Sequence, residues 1–453
     1  MKRIAEHSLG NWLKSKGRKP LVIDGARQVG KSYLVEQLFA PSHFEKVLKL
    51  DFMENPKLNS IFDGDLTPDV ILREIQLATG QKFDPEFDLL FFEEVGLCQR
   101  AIDSLKYFYQ DRPEIVLIAT GSNIGLLGSF PVGKVNRLAI NPLTFKEFLW
   151  ANGLENLAEI IEIPSRETIS QLTHDQLWEQ LLKYYFVGGM PEAVREWISY
   201  DRNTEILEAM DQVRKIHREL ISAYKNDFGK YSKGQKYNAL QITRVFESIP
   251  SQLMKEQEGS APKYKFRGVL PGNRSYEDLV GPINFLEKIG VVQRIFIIEG
   301  KPKIPLNALI DESRFKLVLH DIGLLNTLLG LSYQDIVKHS YDFKGYISEN
   351  FAANEFVAEF DSPETEYLFS WVSKRNAELE FIVNSIEKGI VPIEVKSGRS
   401  IKSKSLSVYV KTNVPQQAFK LTGRLSTATK EGMVKELPLY MAGSLYQSLV
   451  KRT

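Results

Sequence analysis

The chain has 453 residues, 43% of them apolar and 25% charged, with a formal net charge of +1. That length exceeds what one hydrophobic core supports and calls for about two or three domains, while near-zero charge excludes a global electrostatic pull toward nucleic acid, so any such contact must come from local patches. One cysteine, Cys98, excludes an internal disulfide framework and suits a reducing cytoplasm; no apolar run reaches the roughly 18 residues of a membrane span, and Met1-Lys-Arg-Ile-Ala-Glu-His carries no apolar stretch of a secretory signal.

Residues 21–32, Leu-Val-Ile-Asp-Gly-Ala-Arg-Gln-Val-Gly-Lys-Ser, read as a short apolar strand running into G-x-x-x-x-G-K-S, a phosphate-binding loop. Gly25 and Gly30 let the backbone curl, so that Gly25, Ala26, Arg27, Gln28, Val29 and Gly30 turn N–H groups toward an anion. Lys31 then reaches the β- and γ-phosphates and the Ser32 hydroxyl ligates Mg²⁺, which makes ATP and Mg²⁺ the expected cofactors. Apolar residues at 34, 35, 38 and 39 predict a helix whose N-terminus faces the phosphates.

Further strands are predicted at 44–52, 87–94 and 115–123. The second of these, Phe-Asp-Leu-Leu-Phe-Phe-Glu-Glu, suits a parallel strand buried on both faces, with Glu93 and Glu94 at the tip where such sheets place ligands. The usual division of labour gives Glu93 to the metal and Glu94 to the attacking water. Ser122 or Asn123 is either a γ-phosphate sensor or a turn residue. Residues 138–150 give a last strand and then a helix capped by Thr144, with Glu147 completing a capping box. Strands alternating with helices predict a three-layer α/β domain with a mostly parallel sheet over residues 1–150.

Gly-Ala-Arg-Gln-Val-Gly-Lys-Ser, Phe-Phe-Glu-Glu-Val, Thr-Gly-Ser-Asn and Asn-Pro-Leu-Thr-Phe-Lys-Glu-Phe-Leu resemble prokaryotic AAA-type ATP-binding proteins of the archaeal-ATPase-like branch, which carry a C-terminal domain of unknown function. The resemblance runs over almost the whole chain and implies that Lys31 and Ser32 hold phosphate and metal, that Glu94 orients the water, and that residues 120–123 act as a sensor. The chain departs from that family in having Glu93 where Asp is usual, and Gly133-Lys134 where Gly-Arg precedes the last strand, with Arg137 the nearest arginine.

Residues 151–230 are helical in pattern and include Val187-Gly-Gly-Met-Pro191, a break between two helices that resembles the family's Gly-Gly-x-Pro and implies the ATPase lid. Within 231–335, a helix over 236–253, a Ser275-capped helix to Ile289 ended by Gly290, and a strand from Val291 to Ile298 before a Glu-Gly-Lys-Pro turn predict a winged helix. Arg214, Lys215, Lys225, Lys230, Lys233 and Lys236 could meet a DNA backbone there, or simply be solvated.

The last piece, 336–453, carries Glu349 on a helix, then strands at Tyr367–Trp371, Leu379–Val383 and Val391–Lys396. Alternation puts Glu394 and Lys396 on one face, and Glu380 on the adjacent strand can join them. An acid followed by E-x-K is the pattern of the restriction-endonuclease-like fold, with Glu380 and Glu394 as metal ligands, Lys396 beside the attacking water and Glu349 as a further acid. The resembled family's C-terminal domain shows the same kind of signature, which Glu394-Val-Lys-Ser-Gly398 matches. Lys396, Arg399, Lys402 and Lys404 make a local basic run. The expectation is an ATPase whose nucleotide state controls a nuclease-like or DNA-binding domain; an ATP-gated defence or signalling nuclease and an interaction scaffold with a vestigial nuclease fold remain as alternatives, and homo-oligomer formation stays open.

Overall fold

Short runs of buried apolar residues set the strands of the first unit, Met1–Asn141 with Lys288–Gly290. Helix α1 (Ala5–Lys14) precedes β1 (Leu21–Asp24), and the phosphate loop enters α2, whose first turn Lys31–Tyr33 widens into a π-helical stretch, Leu34–Phe39. Then follow β2 (Lys46–Asp51), α3 (Pro68–Thr79), β3 (Asp88–Glu93), α4 (Gln99–Asp111), β4 (Leu117–Gly121) and β5 (Asn136–Ala139). The sheet order is β2-β3-β4-β1-β5 and every pair is parallel. Leu48, Leu50, Leu90, Phe92, Leu117 and Ala119 pack with Ile71 and Ile75 of α3 and with Ile102, Leu105 and Phe108 of α4. Leu21, Ile23, Leu89, Phe91 and Ile118 alternate with them and are equally buried, as in a sheet covered on both faces. Parallel strands all end at one edge, which is where the loop and the Glu93–Glu94 pair meet.

The computed structural model describes the chain apart from residues 123, 127–129, 163–168, 201–204, 232–236, 256–262, 273–274, 339–344, 361–364, 375–376, 398–403, 426–432 and 452–453. Asn123, Lys233, Lys236, Gly398, Arg399 and Lys402 therefore lie outside the described residues. No helix among those described is long and apolar enough to cross a membrane.

The second unit spans Pro142–Glu287 and Val291–Thr453. It opens on α5 (Phe145–Ala151), where Thr144 and Glu147 form the reciprocal capping box. Helices α6 (Glu155–Ile160), α7 (Gln171–Val187), α8 (Pro191–Ser199), α9 (Ile206–Tyr231), α10 (Ala239–Lys255) and α11 (Tyr276–Lys288) follow. Next come β6 (Val292–Glu299), β7 (Phe315–Leu319), α12 (Ile322–Leu328), α13 (Tyr333–Lys338) and α14 (Gly345–Val357). The chain ends in β8 (Leu368–Val372), β9 (Glu378–Ser385), β10 (Gly389–Val395), α15 (Lys404–Asn413), β11 (Ala418–Thr422), β12 (Val434–Pro438) and α16 (Ala442–Val450).

Seven of these strands form one mixed sheet, β12-β11-β10-β9-β8-β6-β7. The strand read from the sequence as part of a wing, β6, lies inside this sheet, parallel to β8 and antiparallel to β7. Val292 and Ile295 to Ile298 explain the difference: a strand apolar on both faces needs cover on both, which an exposed wing would not give.

Glu355 on α14 is buried and its Oε1 accepts the Phe145 N–H at 2.8 Å, tying α14 to the start of α5. Burial pushes its carboxyl up to about 8, with Glu359 and Glu147 adding repulsion. The native state then holds a proton that the unfolded chain has released, so stability should fall as pH rises from the ordinary carboxyl range to about 8. Glu355→Gln keeps the acceptor and removes the proton, and its denaturation midpoints between about pH 5 and 8 should show a flatter pH dependence than those of the native sequence.

Candidate functional site

The phosphate loop takes its shape from three residues in the left-handed region: Gly25 at φ 141°, Gln28 at 66° and Gly30 at 93°. Gly25 has no substitute, because a Cβ there would lie 2.2 Å from the Ile140 carbonyl oxygen. Arg3 braces the loop from behind, donating to Val29 O at 2.9 Å and to Asn141 O at 2.7 Å. Lys31 is 6% exposed and folds back on the loop, its Nζ donating to Gly25 O at 3.0 Å and Ala26 O at 2.9 Å. Burial lowers its proton affinity, against the opposing pull of Glu94, Asp24 and Glu93.

Two acids at the tip of β3 diverge in their surroundings. Glu93 accepts a hydrogen bond from the Ser32 hydroxyl on one oxygen and pairs with the Lys49 ammonium through the other. Glu94 sits in a left-handed backbone conformation, φ 51° and ψ 44°, which for a non-glycine residue costs roughly 1–3 kcal/mol and is held in place by its surroundings. Its Oε2 accepts from the Ser122 amide at 3.4 Å and the Ser122 hydroxyl at 3.3 Å, linking it to the end of β4. Asp24, the last residue of β1, pairs with Arg137, whose guanidinium lies 5.2 Å from the Phe130 ring centroid.

Residues read separately from sequence thus converge: Lys31, Ser32, Glu93, Glu94 and Ser122 share one edge of the sheet. A hydroxyl and a carboxylate in direct contact, Ser32 and Glu93, are hard oxygen donors of the kind Mg²⁺ takes while keeping part of its water shell, so the residues present fit that ion. Lys49 was missed. Its signal was the pair Lys49 and Asp51, two charges on one face that interrupt the apolar Val47, Leu48 and Leu50 at the end of the strand.

In the second unit, the β9–β10 register pairs Ile393 with Phe381 and so sets Glu394 opposite Glu380. The Lys396 ammonium lies 3.1 Å from Glu380 Oε1 and 3.5 Å from Glu394 Oε1, so these three side chains are together on one face. Glu394 is 1% exposed and Glu380 also accepts the Val395 N–H at 3.0 Å. Nearby carboxylates raise the Lys396 pKa, although burial alone would lower it. The row continues across β11 and β12, where Glu394 pairs in register with Lys420 and Lys420 with Glu436. Burial lowers Lys420, against Glu436 and Glu394.

Glu349 is held by Lys316 of β7 at 2.8 Å, and the same ammonium lies 2.5 Å from Glu378. Lys316, Glu378, Lys420 and Glu436 were not singled out from sequence, though a lone lysine in Phe-Lys-Leu-Val-Leu or Ala-Phe-Lys-Leu-Thr marks a buried charge that needs a partner. Among the described residues no group of three or more His, Cys, Asp or Glu is poised for a metal; lysines stand between the acids. In the basic patch, Arg214 turns inward, bonded to Leu331 O at 2.7 Å with its guanidinium 3.9 Å from the Phe186 ring centroid, while Lys225 pairs with Glu247 and Lys230 with Asp227.

Three protein families match successive parts of the chain: an AAA domain over residues 17–149, a domain of unknown function (DUF8612) over 178–335 and a domain of unknown function (DUF4143) over 344–440. No curated protein matches. Among solved structures, the chain is similar to the Aeropyrum pernix ORC1 protein in complex with DNA, at 10% identity over 72% of this chain and 90% of that one, with a TM-score of 0.29. It is also similar to C. elegans PCH-2, at 12% identity over 63% of this chain and 64% of that one, with a TM-score of 0.23. These are distant likenesses and no function passes from them to this chain. The family match and the loop together make residues 17–149 an AAA-type nucleotide-binding domain.

Proposed function

We propose that the chain is an Mg²⁺-dependent ATPase whose nucleotide state controls a nuclease-like or DNA-binding C-terminal domain. The observation that carries the ATPase part is the split between the two acids, with Glu93 on Ser32 and Glu94 on Ser122. Lys31 leaves the Gly25 and Ala26 carbonyls to neutralise phosphate oxygens, and the loop amides hold the chain of phosphates at the start of α2. Ser32 and Glu93 would hold Mg²⁺, which supplies charge neutralisation on the phosphates. Glu94 accepts a hydrogen bond from the attacking water and orients it, with Ser122 fixing the carboxylate.

The nuclease-like reading of the C-terminal domain is supported by Glu380, Glu394 and Lys396 meeting on one face of β9 and β10. The test is full-length protein with ATP, Mg²⁺ and single- or double-stranded DNA, scored for phosphate release and for strand cleavage. Glu394→Ala is expected to abolish cleavage and leave phosphate release within about twofold, since the two chemistries use different residues. Cleavage that persists in Glu394→Ala would take the cutting away from the Glu380, Glu394 and Lys396 group, whereas DNA left intact by the native chain under every nucleotide condition would make this domain a docking module and the ATPase the only chemistry.

A further inference from the structure

Lys49 has no part in the hydrolysis scheme above, yet its ammonium rests on the acid which that scheme gives to the metal. It stands where three elements meet. β2 supplies Lys49 and, on the same face, Asp51; β3 supplies Glu93, in register with Asp51; the π-helical part of α2 supplies Glu36. Beyond Glu93, the ammonium is 3.3 Å from Glu36 and 3.7 Å from Asp51. Three carboxylates thus share one tethered cation, and its side chain is 30% exposed, which leaves it room to move. With Ser32 on one Glu93 oxygen and Lys49 on the other, both oxygens of that carboxylate are engaged. An ammonium and a divalent cation on one carboxylate repel each other strongly at these distances.

We propose that Lys49 is a built-in competitor for the magnesium position: it holds the Glu93 carboxylate in the nucleotide-free protein, yields it when metal-bound nucleotide arrives, and passes to Glu36 and Asp51. Lys49 thereby sets how much Mg²⁺ the site requires. The same charge serves the metal-free state, where it offsets acids that would repel the nucleotide's phosphates. This inference rests on the assignment of Glu93 and Ser32 to the metal.

The experiment is binding of a fluorescent ATP analogue to the full chain, titrated with Mg²⁺ and repeated in EDTA, for Lys49→Met, Lys49→Arg, Glu36→Gln and Lys31→Ala. Lys49→Met should lower the Mg²⁺ concentration at half-saturation by roughly threefold or more and weaken binding in EDTA, two changes of opposite sign. Glu36→Gln removes a receiving acid, tightens the hold on Glu93 and should raise the Mg²⁺ requirement; Lys49→Arg should stay near the native midpoint. Nucleotide binding that survives Lys31→Ala would overturn the reading of the site itself. Binding lost in Lys31→Ala with an unchanged Mg²⁺ midpoint in Lys49→Met would overturn the role of Lys49 alone, as would weakening of Lys49→Met under both conditions.

Discussion

Lys31→Ala should abolish nucleotide binding, whereas Glu94→Gln should bind nucleotide normally and lose about 10²- to 10⁴-fold in turnover. The two variants separate because the two side chains face different tasks. Lys31 is nearly buried inside the loop, and its present acceptors are loop carbonyls, so its removal takes the buried ammonium out of the phosphate cradle. Glu94 stands outside the lysine's hydrogen bonds to the loop carbonyls and is fixed instead by the Ser122 amide and hydroxyl. Glutamine preserves the shape and one acceptor oxygen but cannot take a proton from water. The measurements are equilibrium binding of a fluorescent nucleotide and steady-state phosphate release. Unchanged turnover in Glu94→Gln would move the water-orienting role to Glu93, the remaining acid at the strand tip.

The phosphate loop was legible because its chemistry is written in consecutive residues, Gly25 to Ser32, and needs no knowledge of pairing. The strand ending in Glu93 and Glu94 was legible for a similar reason: a run buried on both faces is apolar without alternation. Glu380, Glu394 and Lys396 could be joined because β9 and β10 form a hairpin, so their register is local. Lys49 could not, since it reaches Glu93 only through the parallel pairing of β2 with β3, set by residues about 40 positions apart. β6 shows the same boundary from the other side: its apolar composition announced a strand, but its neighbours β8 and β7 follow from the sheet as a whole. Arg214 illustrates a third kind of miss. A charge on an amphipathic helix reads as solvated, and only the fold shows it bonded to the Gly323 and Leu331 carbonyls.

Gly189→Ala should destabilise the protein by about 3 kcal/mol or more, a large effect for adding one methyl group. An added Cβ would lie 2.1 Å from the Leu143 carbonyl oxygen and 2.8 Å from its nitrogen, and neither atom can withdraw cheaply. The Leu143 amide donates to Gly189 O at 2.7 Å, and its carbonyl accepts from the Tyr184 hydroxyl at 2.6 Å. On the other side, the Gly189 amide donates to the buried carboxylate of Asp321 at 2.6 Å, which also accepts from Leu324 N at 2.8 Å and so caps α12. The turn after α7 is therefore pinned between the segment leading into α5 and the start of α12, and moving it breaks hydrogen bonds on both sides. Gly17→Ala, with nothing within 4 Å of the new methyl, is the matched control and should change stability by less than about 0.5 kcal/mol. Denaturant midpoints of the two variants against the native chain decide the matter. A Gly189→Ala midpoint as close to native as that of Gly17→Ala would mean that Leu143 and the turn separate at little cost, and that this junction is a hinge rather than a clamp.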